Sequence, residues 1–90
     1  MSDIRVLVVE DEPIAAAAHA AYIGRLEGFT LAGTAPDGQS ALRLMTDFAA
    51  AGTPVDLVLL DMNLPDLHGL DIARRMRAAG LFADIIAITA

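Results

Sequence analysis

Residues 6–13 read VLVVEDEP and residues 56–63 read DLVLLDMN. Each is a short apolar run that stops abruptly at acidic side chains. A continuous run of four to eight aliphatic residues is the pattern of a strand buried on both faces, as in parallel sheets. Four such runs recur at intervals of about 25 to 30 residues: Ile4 to Val9, Phe29 to Ala35, Val55 to Leu60 and Asp84 to Thr89. The segments between them carry helical spacing. Pro13, suited to a first helical turn, opens one whose Ile14, Ala18, Tyr22 and Leu26 recur every three or four residues until Gly28. Asp37 is the expected N-cap of a second, with Ala41, Leu42, Met45 and Phe48 facing inward until Gly52-Thr53-Pro54. A third begins near His68 or Gly69, buries Leu70, Ile72, Ala73 and Met76, exposes Arg74, Arg75 and Arg77, and ends at Gly80. The order βαβαβαβ predicts an α/β, doubly wound parallel sheet with helices on both faces.

Composition narrows the chemistry. The chain has 90 residues, 56% of them apolar, and a formal charge of −6, which gives one small domain and argues against disorder. Cysteine is absent, which excludes disulfides, thiolate zinc sites and thiol nucleophiles and suits a cytoplasmic setting. The longest unbroken apolar run, Ile14 to Ala18, is five residues, far short of the roughly 18 that a membrane span needs. Lysine is missing and acids outnumber arginines, so no nucleic-acid contact is expected from these residues.

In doubly wound sheets ligands bind beyond the carboxyl ends of the strands. Glu10, Asp11 and Glu12 follow the first strand, Asp61, Met62 and Asn63 the third, and Thr89 and Ala90 the fourth. If the first and third strands are neighbours, Glu10, Asp11 and Asp61 share one small pocket and repel unless a cation joins them. Oxygen-only ligands suit a hard metal, and Mg²⁺ more than Ca²⁺ where few protein ligands are used. Asp61 is then a candidate nucleophile toward a phosphoryl group, whose oxygens Mg²⁺, the Thr89 hydroxyl and backbone N–H groups would hold. Other polar residues have simpler readings. Glu12 before Pro13 suits a helix cap as well as the pocket. Asp66 and Asp71 flank the third helix, where capping and dipole duties suffice, and Asp56 has a structural place before a strand. His19 and His68 each lack a second histidine nearby, and no metal role is expected of them.

The stretches VLVVEDEP, DLVLLDMNLPDLHGL (56–70) and DIIAITA (84–90) together resemble the receiver domain of bacterial two-component response regulators. The resemblance implies a flavodoxin-like fold with strand order 2-1-3-4-5. It implies that Asp61 is phosphorylated by a sensor histidine kinase, with Asp11 and Asp61 as direct Mg²⁺ ligands, Glu10 acting through water and Asn63 offering its carbonyl. By the same resemblance Thr89 is the switch hydroxyl, Ala90 the small residue beside it, and Pro65 and Gly69 shape the following loop. HAAYIGRLEGFTLAGTA (19–35) and LPDLHGLDIARRMRA (64–78) are similar to regulators paired with citrate and C4-dicarboxylate sensor kinases, whose receivers precede a DNA-binding region.

Against that pattern, residues 1–90 form a receiver lacking the final strand and helices, including the lysine that pairs with the aspartyl phosphate. Self-association through the uncovered sheet face is the corresponding expectation. The alternatives are a non-signalling receiver fragment, or a Mg²⁺-dependent aspartyl-phosphate hydrolase of the haloacid dehalogenase type. That second family is similar in its strand-end aspartate but needs a second acid where this chain has Asn63.

Overall fold

The computed structural model describes residues 3–88, in the order β1 (Ile4–Val9), α1 (Pro13–Gly24), β2 (Phe29–Ala35), α2 (Gly38–Ala50), β3 (Leu57–Asp61), α3 (Gly69–Ala78) and β4 (Asp84–Ile88). The four strands form one sheet in the order β2-β1-β3-β4. Every neighbouring pair is parallel, which is the flavodoxin-like arrangement. β1 is central, and Val6, Leu7, Val8 and Val9 are all fully buried.

Helix α1 packs on β1 and β2 from one face, while α2 and α3 pack against each other and cover the opposite one. Between the sheet and those two helices lies the main core, with Leu7 and Val9 of β1, Val58 and Leu60 of β3, Met45 of α2 and Ile72 and Met76 of α3. Each large aliphatic side chain buried there stabilises the fold by about 1.5–3 kcal/mol. Val8, Leu59 and Ile86 sit side by side in register on the other face. Burial along that row falls with distance from α1: Val8 is fully buried, Leu59 half-buried and Ile86 51% exposed.

The N-caps of α1 and α2 fall where the sequence puts them, whereas α3 is capped by His68 rather than by Asp66 or Asp71. Glu12 Oε2 accepts from the Ala15 amide at 2.8 Å, Asp37 Oδ1 from Ser40 at 2.7 Å, and His68 Nδ1 from Leu70 at 3.2 Å. Several boundaries and faces differ from expectation. β3 starts at Leu57, because Asp56 stands at the strand entry with its Oδ2 accepting from the Arg5 amide at 2.9 Å, and it ends on Asp61. Helix α1 stops at Gly24, with the Arg25 amide turned back to Tyr22 and Ile23 carbonyls, and Gly28 (φ 82°) steers the chain into β2. The expected inner face of α1 is also rotated. Ile14 is 79% exposed and Tyr22 is exposed, whereas Ile23 is buried, because six alanines leave the helix without a distinct apolar stripe. Leu70, expected inside, is exposed in the first turn of α3. The outer strands are not buried on both faces, since β2 and β4 are sheet edges.

The arginine face of α3 is exposed as expected, yet Arg77 is not merely solvated. Its guanidinium donates to the Leu81 carbonyl at 2.8 Å and to Ala83 at 3.2 Å, and lies 5.8 Å from the Phe82 ring centre, pinning the entry to β4.

Candidate functional site

Register fixes the site. Val9 pairs with Leu60, so the next residue of each strand, Glu10 and Asp61, emerges at the same carboxyl edge of the sheet. The Glu10 amide donates to the Ala35 carbonyl at 3.0 Å and the Met62 amide to Ile88 at 3.2 Å, which carries strand-like order into the first residue of each loop. One carboxylate oxygen from each of Glu10, Asp11 and Asp61 lies within 4.8 Å of the other two. Asp61 is buried, Glu10 half-buried and Asp11 exposed. The three therefore line an open cleft of about 560 Å³, bordered by Ala15 and His19 of α1, by Asn63 and by Ile88.

Electrostatics follow from that crowding. Burial, together with the Asp61 and Asp11 carboxylates, raises the Glu10 pKa above its usual range, although the Glu12 amide at 3.2 Å opposes the rise. Burial also disfavours ionised Asp61. Hydrogen bonds outweigh it and hold the Asp61 carboxyl below its usual range: the Asn63 amide donates to Oδ1 at 2.9 Å, and the Glu10 and Asp11 side chains add to it. The single ion pair among the described residues, Arg74 with Asp71, lies on α3 and supplies no counter-charge to this cleft. Three close carboxylates with no ion-pair partner among the described residues, offering only oxygen, fit a hard divalent ion such as Mg²⁺.

The family comparison matches residues 6–90 to the response regulator receiver domain. The chain belongs to that family. The receiver is 36% identical over 87 residues to the transcriptional regulatory protein MalR of Bacillus subtilis, covering 97% of this chain and 35% of MalR. It is 33% identical to the probable C4-dicarboxylate response regulator DctR of Halalkalibacterium halodurans, covering 97% of this chain and 36% of that protein. The receiver thus spans about a third of the length of these curated relatives. Among solved structures, the signal receiver domain of NarL from Mycobacterium tuberculosis superposes with a TM-score of 0.84 at 27% identity, covering all of this chain and 68% of that one. A CheA3 P1 domain complex with CheY6 from R. sphaeroides matches with a TM-score of 0.77 at 29% identity, covering 99% of this chain and 65% of that one. Receiver domains are signalling modules of two-component systems, working with histidine kinases or phosphotransfer domains, and the hydrolase alternative is not favoured.

Of the residues singled out from sequence, Glu10, Asp11, Asp61 and Asn63 come together. Thr89 and Ala90 lie outside the described residues. Glu12 borders the cleft while serving as the α1 cap. His19 also borders it, two helical turns beyond Glu12. Sequence reading placed it only mid-helix, since the rotation of α1 was not legible. Asp66 was expected to serve α3. Its carboxylate instead crosses to α2, with Oδ1 accepting from Gly38 at 2.8 Å and Oδ2 from Gln39 at 3.0 Å. None of the helices among the described residues is long and apolar enough to cross a membrane.

Proposed function

We propose that Asp61 is the phosphoacceptor of this receiver, taking a phosphoryl group from the phosphohistidine of a sensor histidine kinase. Supporting this reading above all is the convergence of Glu10, Asp11 and Asp61 at one sheet edge, within 4.8 Å of one another. The Asn63 amide occupies Oδ1 of Asp61, which orients the carboxylate and directs Oδ2 to the incoming phosphorus. A depressed pKa keeps that nucleophile ionised at neutral pH. The new O–P bond forms as the N–P bond of the phosphohistidine breaks, and the departing imidazole retains the electron pair and takes a proton. Asp11 and Asp61 would hold Mg²⁺ directly, with the Asn63 carbonyl as a further ligand and Glu10 acting through water. When bound, Mg²⁺ supplies positive charge to the transferring oxygens. Thr89 carries the hydroxyl role that the family resemblance implies.

Likeness to MalR and DctR extends the reading to a cytoplasmic transcriptional regulator paired with a carboxylate-sensing kinase. DNA contact would come from outside these residues, which carry a net charge of −6. Residues 1–90 on their own would self-associate through the sheet face around Ile86.

Incubating the intact protein with acetyl phosphate and Mg²⁺, then mapping the modified peptide by mass spectrometry, tests the assignment. Labelling is expected on Asp61 and absent in Asp61→Asn. Undiminished labelling of that variant would overturn it.

A further inference from the structure

We propose that Asp66 is a positioning residue for the Asp61 site, clasping the β3–α3 loop to the start of α2 so that Asn63 is held where the metal requires it. This rests on the phosphoacceptor reading and extends it to a residue outside the cleft.

The loop after Asp61 is fixed at both ends. Near the site, the Asn63 amide bonds Asp61 Oδ1 and the Met62 amide bonds the Ile88 carbonyl. Five residues after Asp61, Asp66 spans a sequence separation of 28 and 27 residues to accept from the first two amides of α2, Gly38 and Gln39. Helix starts leave such amides unpaired, and a carboxylate there also meets the positive end of the helix dipole. Asp37 already serves the third amide, Ser40, from within its own segment. The Asp66 bonds are therefore the ones that tie the loop to the helix.

Packing backs the clasp. A Cβ at Gly38 would stand 2.9 Å from Leu67 Cδ1 and 3.0 Å from Ile72 Cδ1, so Leu67 can sit against the helix start only because residue 38 has no side chain. At the far end of the loop, a Cβ at Gly69 would stand 2.8 Å from Met62 Cε. Leu67 and Met62, near the two ends of the segment 62–69, thus rest on bare backbone, a close fit through which Asp66 would bear on Asn63. The Gly38 amide, with the Gln39 amide after it, holds the Asp66 carboxyl below its usual range although the group is exposed.

The test compares Mg²⁺ binding, measured by calorimetry on the intact protein with the metal alone, across Asp66→Ala, Asp66→Asn and Asp37→Ala. Groups that orient metal ligands commonly cost about tenfold or more in affinity when removed, and Asp66→Ala is expected to weaken Mg²⁺ by about tenfold. Asp66→Asn, keeping one strong acceptor for two amides, should lie between it and the unmodified protein. Asp37→Ala also strips a cap from α2 and lowers melting temperature, but should leave Mg²⁺ affinity unchanged because it does not touch the loop. Labelling of Asp61 at saturating Mg²⁺ should recover in Asp66→Ala, separating positioning from chemistry. Mg²⁺ affinity that is unchanged in Asp66→Ala, or equally weakened in Asp37→Ala, would overturn the clasp. If Asp66→Ala does not fold, Asp66→Asn against Asp37→Ala gives the same decision. Asp61→Asn runs alongside: persistent labelling there refutes the phosphoacceptor reading, whereas lost labelling with unaffected Asp66 variants refutes the clasp alone.

Discussion

Two aspartates five residues apart, Asp56 and Asp61, bracket β3 and have opposite consequences. Asp56 stands at the strand entry, exposed, with its carboxylate on the Arg5 amide and its own amide on the Arg5 carbonyl, both at 2.9 Å. Nearby, Arg5 reaches the Thr53 carbonyl at 3.2 Å and lies 5.1 Å from the Phe48 ring centre. The carboxylate at that end is satisfied by a backbone amide, and the hydrogen bond contributes stability. Asp61 is buried at the other end beside two more carboxylates, and no described cation answers them. Charge there is concentrated at the expense of stability, as is common at sites that bind an ion. The same residue type serves the fold at one end of the strand and the chemistry at the other.

The contrast can be broken at either end. Asp11→Asn removes a ligand and a charge and should weaken Mg²⁺ binding about 10- to 100-fold, whereas Glu10→Gln should weaken it less if Glu10 acts through water; calorimetric titration measures both. Asp56→Ala should leave Mg²⁺ affinity unchanged but lower the unfolding free energy by about 1 kcal/mol, read from urea denaturation. An effect of Asp56→Ala on Mg²⁺ binding would erase the proposed division between the strand's two ends.

A smaller effect, opposite in sign, belongs to Glu10. Its pKa is raised in the folded state, so the protonated form binds its proton more tightly there than in the unfolded chain. Stability from that proton is complete below the ordinary glutamate value and is lost as pH rises through the folded pKa. Glu10→Gln, neutral throughout, should therefore melt higher than the unmodified protein at neutral pH without Mg²⁺. That advantage should fade as pH drops toward the ordinary glutamate range. Asp66 runs the other way. Its lowered pKa gives stability present above the ordinary aspartate value and lost as pH falls through the folded pKa, so melting curves of Asp66→Asn and the unmodified protein should converge in acid.

What could be read from sequence divides by the range of the forces involved. The ends of β1 and β3 were legible because both strands are unbroken aliphatic runs closed by acids, and parallel pairing then brings Glu10, Asp11 and Asp61 together. The caps Glu12 and Asp37 were legible because each acts within three residues. The rotation of α1 was not, since alanine is small and apolar on every side and its spacing does not select Ile23 over Ile14. Nor was Asp66, whose partners lie 27 and 28 residues away and meet it only once α2 and α3 pack on one sheet face.

The central position of β1 sets a timetable for synthesis. Its partner β2 ends at residue 35, but the second neighbour, β3, is complete only at residue 61. At about 5–20 residues per second, translation from the end of β1 to the end of β3 takes roughly 3 to 10 s. Through that interval Val6, Leu7, Val8 and Val9, the most deeply buried run in the folded protein, lack one of their two flanking strands. The nascent chain thus passes seconds with its most deeply buried segment at most half-paired.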